Sequence, residues 1–326
     1  MLVVLHFVWA YEFCCKYETC TVSNVNIYRD GLYVFSFVPN GTIIIHILRV
    51  VGHLDLSIVK PVTTINAIAM VNCVFPFLYL PQLKKNYSVS IRDALLGEVY
   101  FEPSDTLIDV RMHNTSLSQF PPSLLVLPNL HRLDLRFSLL RQLNLGELKR
   151  LYALEELNVA SNRITTVTID EERLCCSRLR WLNLGANWLV QFDFGLVFHL
   201  PALTGLFIGY NKLEALSTML DEAYARKHNF CSWKRFYQTA GAPRPSCRDY
   251  FARLDHVSLT KNNLKTLNMS TFGSMNVLQD LDVALNPIRE VIVDELQMPV
   301  SLNVSTMAGS LGYRHALWPS VLKVKN

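Results

Sequence analysis

Residues 154–167 read LEELNVASNRITTV, and residues 179–192 read LRWLNLGANWLVQF. Aligned, they share one template: Leu-x-x-Leu-x-Leu-x-x-Asn-x-Leu-x-x-Leu, with conservative swaps at the apolar places. The first stretch sets Leu154, Leu157, Val159, Asn162, Ile164 and Val167 on it, and the second Leu179, Leu182, Leu184, Asn187, Leu189 and Phe192. Working outward, further copies start at Leu203, Leu254 and Leu278, with their asparagines at Asn211, Asn262 and Asn286. Two upstream copies, from Leu107 and Leu130, carry Thr115 and Ser138 where the asparagine falls. Most starts are 23 to 25 residues apart. Self-similarity at such a period marks a solenoid, in which each unit buries its apolar side only against its neighbours.

The composition of the unit makes these leucine-rich repeats. Each Leu-x-Leu run predicts one short strand with its leucines pointing inward and the residues between them outward, because strand side chains alternate faces. The asparagine falls where the chain turns away from the strand, and its amide can both donate to and accept from backbone groups left open there. Phe272, Leu148 and Leu296 occupy matching core places eighteen residues into their repeats. The expected fold is an α/β solenoid: a leucine-rich-repeat horseshoe with a parallel β-sheet on its concave face. Repeats are expected over 107–217 and 254–298. Residues 13–106 are expected to be an N-terminal cap grading into degenerate repeats, with Ile43 to Val51 and Ile65 to Phe75 as fully buried strands. Residues 299–326 form an end segment.

One interval breaks the period. From Leu203 to Leu254 is 51 residues, so residues 218–253 are an insertion. A connection this long in a compact fold is characteristically functional or disordered. It carries Cys231 and Cys247, sixteen positions apart and a candidate disulfide.

Half of the 326 residues are apolar, enough for a large core, and the formal net charge is only +4. Nucleic-acid binders usually show a clustered basic face, so nucleic acid is not the expected partner. Residues 1–12 begin with the apolar run MLVVLHFVWA, which lacks the basic start of a signal peptide. It reads either as the core of such a peptide or as a buried first strand. Eight cysteines permit disulfides, and Cys14 or Cys15 could tie the cap through Cys20. Five Asn-x-Ser/Thr sequons, at Asn40, Asn86, Asn114, Asn268 and Asn303, are about twice the number that 22 asparagines and 39 Ser/Thr residues give by chance. Together these features lead to an extracellular glycoprotein. No apolar run reaches the length of a membrane-spanning helix, so no membrane span is expected.

No catalytic pattern is present: no Gly-rich phosphate loop, no CxxC, no HExxH and no Gly-x-Ser-x-Gly. The histidines lack metal-ligand spacing, so neither an enzyme nor a cofactor is expected. The outward places between the leucines are the candidate partner-binding residues. Trp181, Asn183 and Phe207 lie near the middle, with Tyr210 at the edge. Arg132, Arg136, Glu156 and Asn158 lie toward one end, and His256, Asp280 and Asp282 toward the other. Exposed aromatics with a polar rim are where binding energy concentrates. The competing expectation is that the 218–253 insertion covers Trp181 and Phe207.

The repeats resemble the typical class of extracellular leucine-rich-repeat proteins. The stretch CTVSNVNI (Cys20 to Ile27), with the repeats after it, also looks like the secreted leucine-rich-repeat proteins of insects, including mosquito immune ones. That resemblance implies a secreted protein-binding module in innate immunity. Such proteins commonly continue into a double-cysteine motif and a coiled coil that join two chains and hold complement-like partners. Here the sequence after Leu317-Trp318-Pro319 has no heptads, so that assembly is not carried over. The cysteine-rich C-terminal cap of many receptor ectodomains is also lacking. The alternative expectation is an intracellular scaffold with reduced cysteines.

Overall fold

The computed structural model describes residues 11–169, 176–217, 253–273, 275–293, 301–302 and 322–324. Most of the leader region, nearly all of the 218–253 insertion with Cys231 and Cys247, Leu296 and Asn303 therefore lie outside the described residues. The chain divides into two compact units, residues 1–163 and 164–326.

In the first unit the ladder begins far upstream of Leu107. Strand Thr19–Ser23 pairs in parallel with Ile44–Leu48, which pairs with Ala67–Val71, and that with the first half of Tyr87–Phe101. Leu107–Thr115, Arg132–Asp134 and Glu156–Asn158 extend the series. The register is constant: Cys20, Ile45, Ile68, Val89, Val110, Leu133 and Leu157 are successive partners, all facing inward and essentially fully buried. Glu12–Lys16 pairs antiparallel with Thr19–Ser23, giving that outermost parallel strand a second partner, and a Cys15–Cys20 disulfide staples the hairpin.

In the second unit Trp181–Asn183, Gly205–Phe207, His256–Ser258 and Asp280–Asp282 form the corresponding parallel ladder. The returns carry 3-10 turns, as at Leu56–Val59, Leu145–Leu148 and Met269–Phe272. A 3-10 turn rises about 2.0 Å per residue, which lets a short return span the thickness of a repeat. An Asp or Asn side chain caps several of them: Asp55, Asn144, Asp193 and Asn268 each accept from the N–H two residues on. The core behind the second ladder includes Phe192, Phe194 and Phe272 in edge-to-face contact.

The expected fully buried strands Ile43–Val51 and Ile65–Phe75 are corrected: Ile44–Leu48 and Ala67–Val71 bury only alternate residues, because their other face is the outward face of the ladder. Each strand stops, at Leu48 and Val71, because the next residue, Arg49 or Asn72, turns into the left-handed region. The same turn recurs in every described rung: Asn24, Arg49, Asn72, Asp93, Asn114, Phe137 and Ser161 in the first unit, Ala186, Tyr210, Lys261 and Leu285 in the second, all with φ between 52° and 59°. Left-handed backbone crowds Cβ against the carbonyl, so these places depend on external support.

That support comes one residue later. Asn211 Oδ1 accepts from Leu189 N–H at 3.0 Å, while its Nδ2 donates to Leu184 and Ile208 carbonyls at 3.0 Å each. Asn162 makes the same set of bonds in the first unit. The set is intact across the insertion: Leu213 N–H reaches Asn262 Oδ1 at 3.0 Å over 49 residues, against 22 for the ordinary repeat. Where the asparagine is missing, Thr115 and Ser138 hydroxyls bond each other at 2.8 Å. Further up, Cys73 occupies the place and its sulfur makes a comparable set, with Val50 N–H at 3.5 Å and the Val71 and Ile47 carbonyls at 3.3 and 3.6 Å.

A buried backbone group without a partner costs roughly 1–3 kcal/mol. Replacing Asn211 by Ala strands the Leu189 N–H, while the Leu184 and Ile208 carbonyls keep Asn187 and Asn262 as donors, so urea unfolding is expected to show a loss of about 1–3 kcal/mol. Ser138→Ala, which breaks one hydroxyl–hydroxyl bond, is expected to cost only about 1 kcal/mol.

Candidate functional site

The residues singled out in the sequence fall into two groups, one in each unit. In the second unit the outward places hold Trp181, Asn183, Gly205, Phe207, His256, Ser258, Asp280 and Asp282. Trp181 is directly opposite Gly205, and Asn183 opposite Phe207. The indole lies diagonally across Gly205 and stacks on the Phe207 ring, with centroids 5.6 Å apart and planes 14° from parallel. Offset stacking of this kind suits the aromatic quadrupole. Phe207 in turn meets the His256 ring at 4.9 Å, and His256 Nδ1 lies 2.8 Å from Asp280 Oδ2. Four neighbouring strands thus carry one continuous row: indole, phenyl, imidazole, carboxylate.

Gly205 makes the row geometrically feasible. A Cβ there would sit 2.5 Å from Trp181 Cε3 and Cζ3. Trp181 remains 43% exposed despite the stack, and Tyr210, in its left-handed turn at the edge, 55%. Lys261 Nζ lies 4.9 Å from the centroid of the Tyr210 ring, a cation–π contact at that edge.

Asn183, Asn158 and Asp282 have a local structural task. Each Oδ1 accepts the backbone N–H two residues on, from Gly185, Ala160 and Ala284. Such Asx bonds mimic a turn and guide the chain toward its left-handed residue. Asp134, with Oδ1 bonded to Arg136 N–H, belongs to the same column. Phe207 occupies this column and cannot make the bond, so its presence is not explained by the local turn.

The group in the first unit is electrostatic and self-contained. Arg132 grips Glu156 with both Nε and Nη2, at 2.5 and 2.8 Å, and reaches Asp109 at 3.4 Å. Arg111 pairs with Asp109 at 2.6 Å, Arg136 with Asp134 at 3.0 Å, and His113 Nε2 lies 3.0 Å from Asp134 Oδ2. The bond from Arg132 holds the Glu156 carboxyl below its ordinary range and raises the guanidinium. Three arginines therefore meet three carboxylates across three rungs. The basic end expected from Arg132 and Arg136 is a neutralised network.

Of the sequons, Asn40, Asn86, Asn114 and Asn268 are exposed. Asn114 Nδ2 donates to Asp93 Oδ1 at 2.7 Å, and Asn268 Oδ1 caps its 3-10 turn. Reasoning from the sequence missed Gly205, because a glycine in an outward place has no side chain to flag. It also missed Phe137 and Leu285, exposed at the left-handed edge, though their place just before the asparagine position was available as a signal.

Gly205→Ala is expected to push the indole off Phe207 and to cost about 1–3 kcal/mol by overpacking. The indole N–H resonance of Trp181, assigned with Trp181→Phe, should shift strongly while resonances of the first unit stay in place.

No protein-family model and no curated protein sequence matches the chain. Among solved structures, it resembles a chain of the TLR13–ssRNA13 complex with a TM-score of 0.53 at 15% identity, covering 87% of this chain and 48% of that one. A chain of the LRIM1/APL1C complex gives 0.52 at 14% identity, covering 81% and 53%. The LRIM1 leucine-rich repeat domain gives 0.51 at 13% identity, covering 82% and 81%. This chain thus spans about half the length of the first of these. At such identities the likeness is one of architecture, and it agrees with the strand register and the asparagine bonds: the chain has the leucine-rich-repeat fold.

Proposed function

We propose that this chain is a secreted, non-enzymatic recognition module that binds a protein partner through the open face of its parallel ladder, with the Trp181–Phe207 stack as anchor. The observation that carries this reading is the stack itself. A glycine is kept opposite Trp181, an aromatic replaces the Asx residue at 207, and the resulting apolar surface faces solvent. Nothing in the repeat's hydrogen bonding calls for that arrangement. Large rigid aromatics in a polar surround are the usual hot spots of interfaces. The flanking Gly185 adds no side chain of its own beside the stack.

The charge layout favours protein over nucleic acid. Arg111, Arg132 and Arg136 of the first unit are occupied by carboxylates, and the aromatic row ends on Asp280 with Asp282 beside it. A phosphate chain would need unpaired cations there. One structural neighbour is described as an RNA complex and another as a two-protein complex; for this chain the electrostatics side with the latter. The setting we propose is an extracellular fluid and innate immunity, on the resemblance of the cap and repeats to insect immune proteins. The Cys15–Cys20 disulfide and the four exposed sequons support an oxidising, glycosylating compartment.

Two experiments test this. Trp181→Ala with Phe207→Ala is expected to weaken capture of the native partner by about 2 kcal/mol or more, read by titration against the partner purified with the chain. Unchanged affinity removes the stack as anchor. Expression in insect cells is expected to deliver the chain to the medium, with a mobility shift on glycosidase treatment. Retention in the cell with no shift would favour the intracellular scaffold.

A further inference from the structure

The outward places of the second unit's described rungs hold carboxylates but no lysine or arginine, and this specifies the occupant further than the anchor alone. On its four rungs the outward places include two carboxylates, Asp280 and Asp282, and no lysine or arginine. Asp280 Oδ2 lies 2.8 Å from His256 Nδ1, and Asp282 accepts from Thr260 Oγ1 at 2.5 Å and from Ala284 N–H at 3.0 Å. A carboxylate offers about four acceptor sites, so both retain capacity, and the Asp280 side chain is 46% exposed. Lys261, at the edge, lies over the Tyr210 ring. The contrast with the first unit is the informative part, because there Arg111, Arg132 and Arg136 each meet a carboxylate within 3.0 Å.

Resting on the protein-binding reading above, we propose that the occupant of this face is an extended basic segment of the partner. An aromatic or apolar side chain lies against Trp181 and Phe207, and a lysine or arginine reaches Asp280 and Asp282. Trp181 and Asp280 are three strand spacings apart, about 14 Å at roughly 4.8 Å each. An extended peptide advances about 3.3 Å per residue, so the two side chains are about four residues apart in the partner. A guanidinium also fits the row at its other end, since it packs against aromatic faces as well as carboxylates.

The test is selection of a random peptide display library on the glycosylated full chain, followed by titration of individual synthetic peptides. Enriched peptides are expected to pair an aromatic residue with Lys or Arg about four positions away. Asp280→Asn with Asp282→Asn is expected to weaken them about tenfold or more, Asp280→Glu to retain binding, and Glu214→Gln, away from the face, to leave it unchanged. Raising salt from 50 to 500 mM should weaken binding to the native chain and have little effect on the double Asn variant. Peptides that need Trp181 and Phe207 but show no basic preference overturn this inference and leave the anchor standing. Peptides indifferent to all four residues, or an empty selection, overturn the anchor as well. Capture of single-stranded poly(U) with peptide-like affinity would overturn the assignment to a basic polypeptide.

Discussion

The structure depends on closing backbone hydrogen bonds at the point where each strand gives way to its turn. A parallel strand of three residues leaves carbonyls and an N–H that water cannot reach once the repeats are stacked. One asparagine amide supplies an acceptor to the preceding repeat and donors to both repeats, as Asn162 and Asn211 do. From Ser161 onward each left-handed residue of the ladder is followed at once by the asparagine that makes this closure. Each bond set spans adjacent repeats, so stability is shared between neighbours rather than held within one unit.

That dependence also explains which repeats could be read in the sequence. From Leu107 onward leucines alternate with polar residues, and asparagine fills its place from Asn162 on. Upstream the corresponding residues are Val25, Val50, Cys73 and Ala94. Valine and alanine there offer no amide, and Cys73 only a polarizable sulfur, so the template dissolves although the strands and register persist. The inward residues change as well, to isoleucine, valine and methionine, which fit a buried strand without marking a repeat. Burial and pairing carry the fold there, and both are three-dimensional facts that the residue names only partly encode.

For the candidate site the legible part was the list of outward residues. Trp181 and Phe207 could be placed on adjacent strands by counting from the leucines. Their mutual stacking could not, because it requires the diagonal offset and the empty place at Gly205. The ion pairs of the arginines were hidden for a different reason. Spacing placed Arg132 and Arg136 on the surface, but only the folded chain shows Glu156, Asp109 and Asp134 within reach of them.

The ladder's indifference to the 51-residue step between Leu203 and Leu254 has a consequence for how this chain can change over time. Asn262 meets Leu213 and Ile208 with the geometry that Asn211 uses for Leu189 and Leu184, so the rungs on either side do not sense how much polypeptide lies between them. Lengthening a connection that is already long adds little closure entropy. Residues can therefore be gained, lost or exchanged between Ser217 and Arg253 with selection acting only on what that segment does. The rungs that flank it, bearing Phe207 and His256, stay under the strict rule of the repeat.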